Sequence, residues 1–169
     1  SIQEGLAAQL DMQAIYDLVG DKIREIFDAQ VVLIDTFDLE VGIANNRYLR
    51  ERGVRYYPEP RPPFLLHERI ASTRQPLLFN QDAGRLTAEL GLPVASGTEV
   101  PKSALFVPLI MGDMVKGMLS LQNIDHENAF SDSDVRLLQT LANSMSVALE
   151  NARLFDETQR LLKETEERN

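Results

Sequence analysis

Two histidines, His67 and His126, carry the only side chains in this chain that titrate near neutral pH without help, and no cysteine accompanies them. Without thiols there is no disulfide, no thiolate metal site, no thiol nucleophile and no thioether-linked chromophore such as a covalent bilin. Haem would need an axial ligand, and only the two imidazoles offer one. His126 stands between Asp125 and Glu127, where a solvated surface imidazole is expected. His67 lies in a short amphipathic stretch and reads as a satisfied surface or core histidine in preference to a haem or metal ligand. Two isolated histidines do not compose a metal site. Asp and Glu number 26, yet none is ordered with a nucleophile or a glycine-rich phosphate loop in a recognisable catalytic pattern. These residue types point to binding rather than catalysis, and they identify no cofactor.

The elements that must position such groups alternate between helix and strand. Ile2, Leu6 and Leu10 precede Asp11, a cap for a helical run through Ile15, Leu18, Val19, Ile23, Ile26 and Phe27, so residues 2–27 form one helix or two. Residues 30–37 are rich in β-branched side chains and read as a buried strand; 40–44 with 47–49, and then 53–57, read as weaker ones. Four of the eight prolines gather in residues 58–63, an extended connector more than a polyproline ligand. Residues 64–73 and 82–90 read as short helices around a brief strand at 76–79. The stretch 91–103 has neither periodicity, which marks a disordered segment or a functional lid. Residues 103–111 and 114–123 flank Gly112-Asp113, a two-residue turn with glycine first, as a type II′ hairpin prefers. Gly117 inside the second strand signals a bulge or a close backbone approach.

The last helix is the longest element. Ser131 and Asp134 form a capping-box-like start, and no Gly or Pro follows before the chain's last residue. Val135, Leu138, Leu141, Ala142, Met145, Ala148, Leu149 and Ala152 make a broad apolar stripe that thins after Phe155 into a charged segment with Leu161 and Leu162. A polar helix of that length is marginal alone in water, so a partner helix is expected. The net charge of −9 without a Lys/Arg cluster argues against nucleic acid or an anionic membrane as partner, and no apolar run approaches the roughly 20 residues of a membrane span. The expected compartment is the cytoplasm.

The run FVPLIMGDMVKGMLSLQNIDHENAFSDSDVRLLQTLANSMSVALENARLF resembles the C-terminal half of a GAF domain. The resemblance is carried by Pro108, Leu109, Gly117, Leu119, Leu121, Phe130, Ser131, Asp134, Ala148, Asn151, Ala152 and Leu154, and extends more loosely over residues 12–155. It implies an α+β fold: a central, mostly antiparallel sheet with terminal helices packed on one face, and short helices and loops over a pocket on the other. Residues 1–11 would then be an incoming helix or linker, 12–155 the sensory domain and 156–169 an outgoing coiled-coil connector. Similar domains precede histidine kinases, nucleotide cyclases, diguanylate cyclases and transcriptional activators, and the two chain ends read like the junctions of tandem modules.

The resemblance also implies which residues to watch. Pocket walls are expected from Tyr56, Tyr57, Phe64, Ile70, Phe79, Thr98 and Ser103, with Arg55, Arg69 and Lys102 able to serve an anionic ligand; each taken singly also reads as ordinary core or solvated surface. The asparagine and Lys/Phe/Asp-Glu signature of cyclic-nucleotide-binding relatives is not found. Leu141, Met145, Ala148, Ala152, Phe155 and Leu162 are the residues expected to make a homodimer face and carry the output. The expected function is a non-catalytic module that binds an unknown small molecule, dimerises through its terminal helices and signals to a covalently adjacent domain. A ligand-free dimerisation spacer, and more remotely a degenerate enzyme domain, are the alternatives.

Overall fold

Alternate burial along the strands produces a sheet that is covered on both faces. The computed structural model describes residues 2–93 and 99–168. In chain order the elements are α1 (Ile2–Ile26), β1 (Val31–Asp38), β2 (Ile43–Glu51), β3 (Val54–Arg55), α2 (Leu65–Thr73), β4 (Leu77–Phe79), α3 (Ala83–Glu89), β5 (Ser103–Met111), β6 (Met114–Asn123) and α4 (Asp132–Arg168). The six strands form one sheet in the order β3-β2-β1-β6-β5-β4, with every neighbouring pair antiparallel. This is the expected α+β architecture.

The two faces hold separate cores. Val32, Ile34, Leu105, Val107, Leu119 and Leu121 point to one side and meet Ile23 of α1 and Leu138, Ala142, Met145 and Leu149 of α4. Phe37, Ala44, Phe106 and Met118 point to the other and meet Leu66, Ile70 and Ala83 of the short helices. Burial on both faces explains why the first seven residues of β5 are all buried, polar Ser103 among them.

Several sequence-based boundaries shift for physical reasons. The two N-terminal apolar runs form a single helix through Asp11. The weak strand expected over 40–44 and 47–49 is continuous from Ile43 to Glu51, because residues before it are held in a turn: Asp38 Oδ1 accepts from the N–H groups of Glu40 and Val41 at 3.0 and 3.1 Å. The strand expected over 53–57 is only Val54–Arg55, since Pro58 ahead offers no donor to extend the ladder.

Two bulges set side-chain phase. In β2, Ile34 faces Tyr48 while Asp35 faces Asn46, so Arg47 is an extra residue. Ala44 and Asn46 before it, and Leu49 and Glu51 after it, therefore share the face away from α1 and α4. In β6, Leu109 faces Gly117 and Ile110 faces Val115, leaving Lys116 as the extra residue. Gly117 is both bulge and close approach: a Cβ there would collide with the Asp35 carbonyl oxygen and come within 3.0 Å of Leu109 Cδ1. At the hairpin, Gly112 has φ +64 and Asp113 an ordinary φ, as a type II′ turn requires.

The last helix is capped reciprocally. The Ser131 N–H donates to Asp134 Oδ2 at 2.9 Å, and Ser131 Oγ accepts from the Asp134 N–H at 3.1 Å. Over 37 residues α4 spans about 55 Å. Its first half supplies core, whereas none of residues 151–168 is buried. None of the described helices is long and apolar enough to cross a membrane.

Candidate functional site

A cavity of about 140 Å³ lies on the face of the sheet away from α1 and α4. Val31, Leu33 and Asp35 of β1, the four in-phase residues of β2 and Gln122 of β6 make its floor. Tyr56, Pro58, Glu59 and Arg61 wall it from the proline-rich connector, whose backbone is tied to the sheet where Ala44 and Arg61 exchange hydrogen bonds of 2.7 and 3.0 Å. Phe64 and His67 close one side at the start of α2, and Thr87, Leu92, Pro93, Glu99 and Pro101 close another. The proline run is a wall because it stiffens the connector against the sheet without competing for ladder donors.

His67 organises this site. Its side chain is fully buried, its Nδ1 accepts from the Phe64 N–H at 3.1 Å, and its Nε2 lies 3.1 Å from Asp35 Oδ2. A nitrogen that accepts a backbone N–H carries no proton, so the ring is neutral and Nε2–H donates to Asp35. The other carboxylate oxygen of Asp35 accepts from Asn46 Nδ2 at 3.0 Å. With both ring nitrogens engaged, His67 anchors α2 to the sheet and is not poised as a general base. The ring also stacks obliquely between Phe37 and Phe64, at centroid distances of 4.9 and 4.1 Å. Its place three residues after Phe64, where a capping Glu or Gln would reach back to the same N–H, was the available sequence signal.

Among the residues expected to wall a pocket, Tyr56 and Phe64 do so. Ile70 is fully buried in the core beneath, and Phe79 packs against that core edge-on to Phe106 at 6.3 Å. Ser103 is buried and occupied: its Oγ donates to the His126 carbonyl at 2.8 Å and accepts from the Ala129 N–H at 3.2 Å. Thr98 lies outside the described residues. The three expected cations do not reach the cavity. Arg69 and Lys102 are exposed. Arg55 sits on the α1 side, its guanidinium 4.3 Å from the Tyr48 ring centroid and 5.0 Å from that of Tyr57, and 3.4 Å from Asp17. With Tyr57 it lines a separate, open polar groove of about 400 Å³. The bulge at Arg47 is the reason, since it reverses which face the following residues present. Sequence reasoning missed Asp35, Asn46, Glu51 and Gln122, which look like ordinary polar strand residues until that phase is known.

An exposed guanidinium latches Glu99 to the turn after β2. Arg52, at φ +49 in the turn after β2, donates to Glu99 Oε2 at 2.7 Å and to Asp125 Oδ1 at 2.8 Å. The Glu99 N–H in turn donates to Glu51 Oε1 at 3.3 Å. The hydrogen bond from Arg52 holds the Asp125 carboxyl below its ordinary value, against the opposing effect of desolvation. A depressed folded-state value means the contact contributes above the unfolded carboxylate range and is lost as pH falls through the folded value. Arg52→Ala is accordingly expected to speed hydrogen exchange at the Glu99 amide at neutral pH, and acidification of the wild type is expected to lower the protection of that amide relative to an unstructured chain at the same pH. Equal exchange in both proteins at neutral pH would remove the latch.

A cavity beside short helices on one face of an antiparallel sheet, with two terminal helices on the other, is the α+β architecture that the resemblance implies. Residues 9–150 match the family model for a GAF domain, and the chain belongs to that family. It is 26% identical over 167 residues to the formate hydrogenlyase transcriptional activator FhlA of Escherichia coli K12, covering 95% of this chain and 24% of that protein. The chain thus spans about a quarter of that relative. Among solved structures, the blue-light absorbing form of the Thermosynechococcus elongatus PixJ GAF domain superposes with a TM-score of 0.71 at 18% identity, covering 94% of this chain and 96% of that one. The GAF domain/HD domain protein from Geobacter sulfurreducens gives 0.67 at 15% identity, covering 85% and 95%.

Proposed function

We propose that this domain is a non-catalytic sensor: a small molecule occupies the cavity on β1 and β2, and the occupied state is passed through the sheet to α1 and α4, the output layer. The observation that carries this reading is that the same two strands floor the cavity on one face and pack on α1 through Val32, Ile34 and Tyr48 on the other, and α1 packs in turn on α4. Any shift of β1 needed to seat a ligand must be absorbed by that helix layer, which repacks between discrete arrangements and does not deform smoothly. The outgoing helix then acts on a covalently adjacent effector domain, such as a kinase, a cyclase or a transcriptional activator. Native mass spectrometry of protein purified from its host, with thermal-shift screening of nucleotides, amino acids and haem, tests the sensor. Failure of every compound to co-purify or to raise the melting temperature would leave the ligand-free spacer as the better account.

The same reading makes the domain a homodimer. Met145 is committed to the domain's own core, Leu141 packs against that core, and Ala148 and Ala152 are half-buried. Phe155 and Leu162 are 66% and 55% exposed, and Val147, Leu154 and Leu161 are 61%, 45% and 51% exposed. Both sets repeat every seven residues, the spacing at which one helix seam meets another. Substituting Val147 and Phe155 together with glutamate is expected to halve the mass seen by light scattering while leaving the circular dichroism spectrum unchanged.

A further inference from the structure

The cavity has two polar ends, and they differ in how fully their groups are bonded. At the first, Asp35 has Asn46 on one oxygen and His67 on the other. At the second, Glu51 and Gln122 are 8% and 7% exposed, and both face Val31 of β1 in register, one from β2 and one from β6. Their side chains therefore rise from either side of one point on the floor.

Among the described residues Glu51 accepts only the Glu99 N–H and has no ion pair. The side-chain amide of Gln122 has no hydrogen-bond partner among the described residues, although it is more than nine-tenths buried and lines the cavity. Among the described residues the Glu51 carboxylate has no cation and the Gln122 amide no partner, so both keep bonding capacity that faces the cavity, and one group would use them together: a donor carrying positive charge. Glu59 adds a carboxylate to the wall, whereas that of Glu99 is engaged by Arg52. Arg61, the guanidinium on the described wall, is held by its backbone to Ala44, past the Asp35 end. Between the ends the floor is Leu33 and Leu49, with Phe64 beside them. A bare metal ion would leave that apolar surface facing empty volume.

Resting on the sensor reading above, we propose that the ligand is a small primary amine. Its ammonium group donates to the Glu51 carboxylate and to the side-chain oxygen of Gln122, and its apolar body lies on Leu33 and Leu49. The cavity of about 140 Å³ suits a body of roughly the size of a benzene ring, which a cavity of about 150 Å³ accommodates. The ligand is therefore a cation, contrary to the anion that Arg55, Arg69 and Lys102 would have served.

Titration calorimetry with benzylamine, benzyl alcohol and benzoate separates shape from charge. Benzylamine is expected to bind the wild-type chain most tightly, with Glu51→Gln weakening it by about tenfold or more and moving benzyl alcohol by less than about twofold. Gln122→Leu is expected to weaken benzylamine by about threefold or more, and it keeps the test sharp should Glu51→Gln fail to fold. Benzyl alcohol or benzoate binding as tightly as benzylamine, or unchanged benzylamine affinity in the folded variants, would overturn the amine and leave a ligand-binding cavity standing. Binding of none of the three would overturn the amine and count against the cavity as a ligand site.

Discussion

Tyr48→Ala is expected to lower stability by about 3–5 kcal/mol, read as a lower urea midpoint with little change in slope. Tyr48 is fully buried, and its ring lies so close on α1 that a Cβ at Gly20 would stand 2.5 Å from it. Its hydroxyl donates to Asp21 Oδ1 at 2.7 Å, and its other face carries the Arg55 guanidinium at 4.3 Å. Burial, reinforced by the bond to Asp21, raises the phenol above its ordinary range, so it remains a donor throughout the neutral region. Truncation to alanine removes ring, hydrogen bond and cation–π contact together, and opens a void between α1 and β2 that backbone cannot fill. Tyr48→Phe removes only the hydrogen bond and is expected to cost about 0.5–1.5 kcal/mol. A small loss for the alanine variant would mean that α1 and the sheet are not coupled through this ring.

Asp35→Ala is the second large effect, about 2–4 kcal/mol, because it strands the buried His67 Nε2–H and takes one of two acceptors from half-buried Asn46 Nδ2, which also donates to the Tyr48 carbonyl at 3.2 Å. The cost should be strongly non-additive. Once His67 is replaced by leucine, loss of Asp35 strands one donor fewer, so the double variant is expected to be more stable than the two single losses imply. Strict additivity in urea unfolding would show that the Asp35–His67 contact does not hold α2 on the sheet. Because α2 forms one side of the cavity, Asp35→Ala is also expected to weaken any cavity ligand, whereas Tyr48→Ala perturbs the opposite face first.

Much of the architecture was legible in the residues because local signals agreed with one another. The reciprocal cap at Ser131 and Asp134, the hairpin at Gly112 and the bulge at Gly117 each rest on a physical demand that only a few residue types meet. The site was less legible. Which face a strand residue presents depends on every bulge before it, and nothing in the order Asn-Asn-Arg-Tyr announces that Arg47 is the extra residue. Reading β2 without that bulge sends Arg55 and Tyr57 into the cavity and hides Glu51. Of the cations expected to greet a ligand, Arg55 is clasped between two tyrosine rings while Arg69 and Lys102 are exposed, and the clasp between Glu99 and Asp125 is Arg52, which no sequence signal singles out. His67 is a satisfied histidine, as its setting suggests, but its partner Asp35 lies 32 residues away, a distance only the fold brings together.

The central claim is that occupancy on one face of the sheet alters the helices on the other. Because the chain has no cysteine, Arg160→Cys gives one spin-label site per protomer on the exposed half of α4. Label-to-label distances can then be compared between protein carrying its co-purified ligand and a Leu33→Trp variant whose cavity is filled from the floor. The account predicts distance distributions that differ by about 2 Å or more, the scale of a helix shift between packed states. Superimposable distributions, with ligand present by mass spectrometry in the first protein and absent from the second, would contradict it.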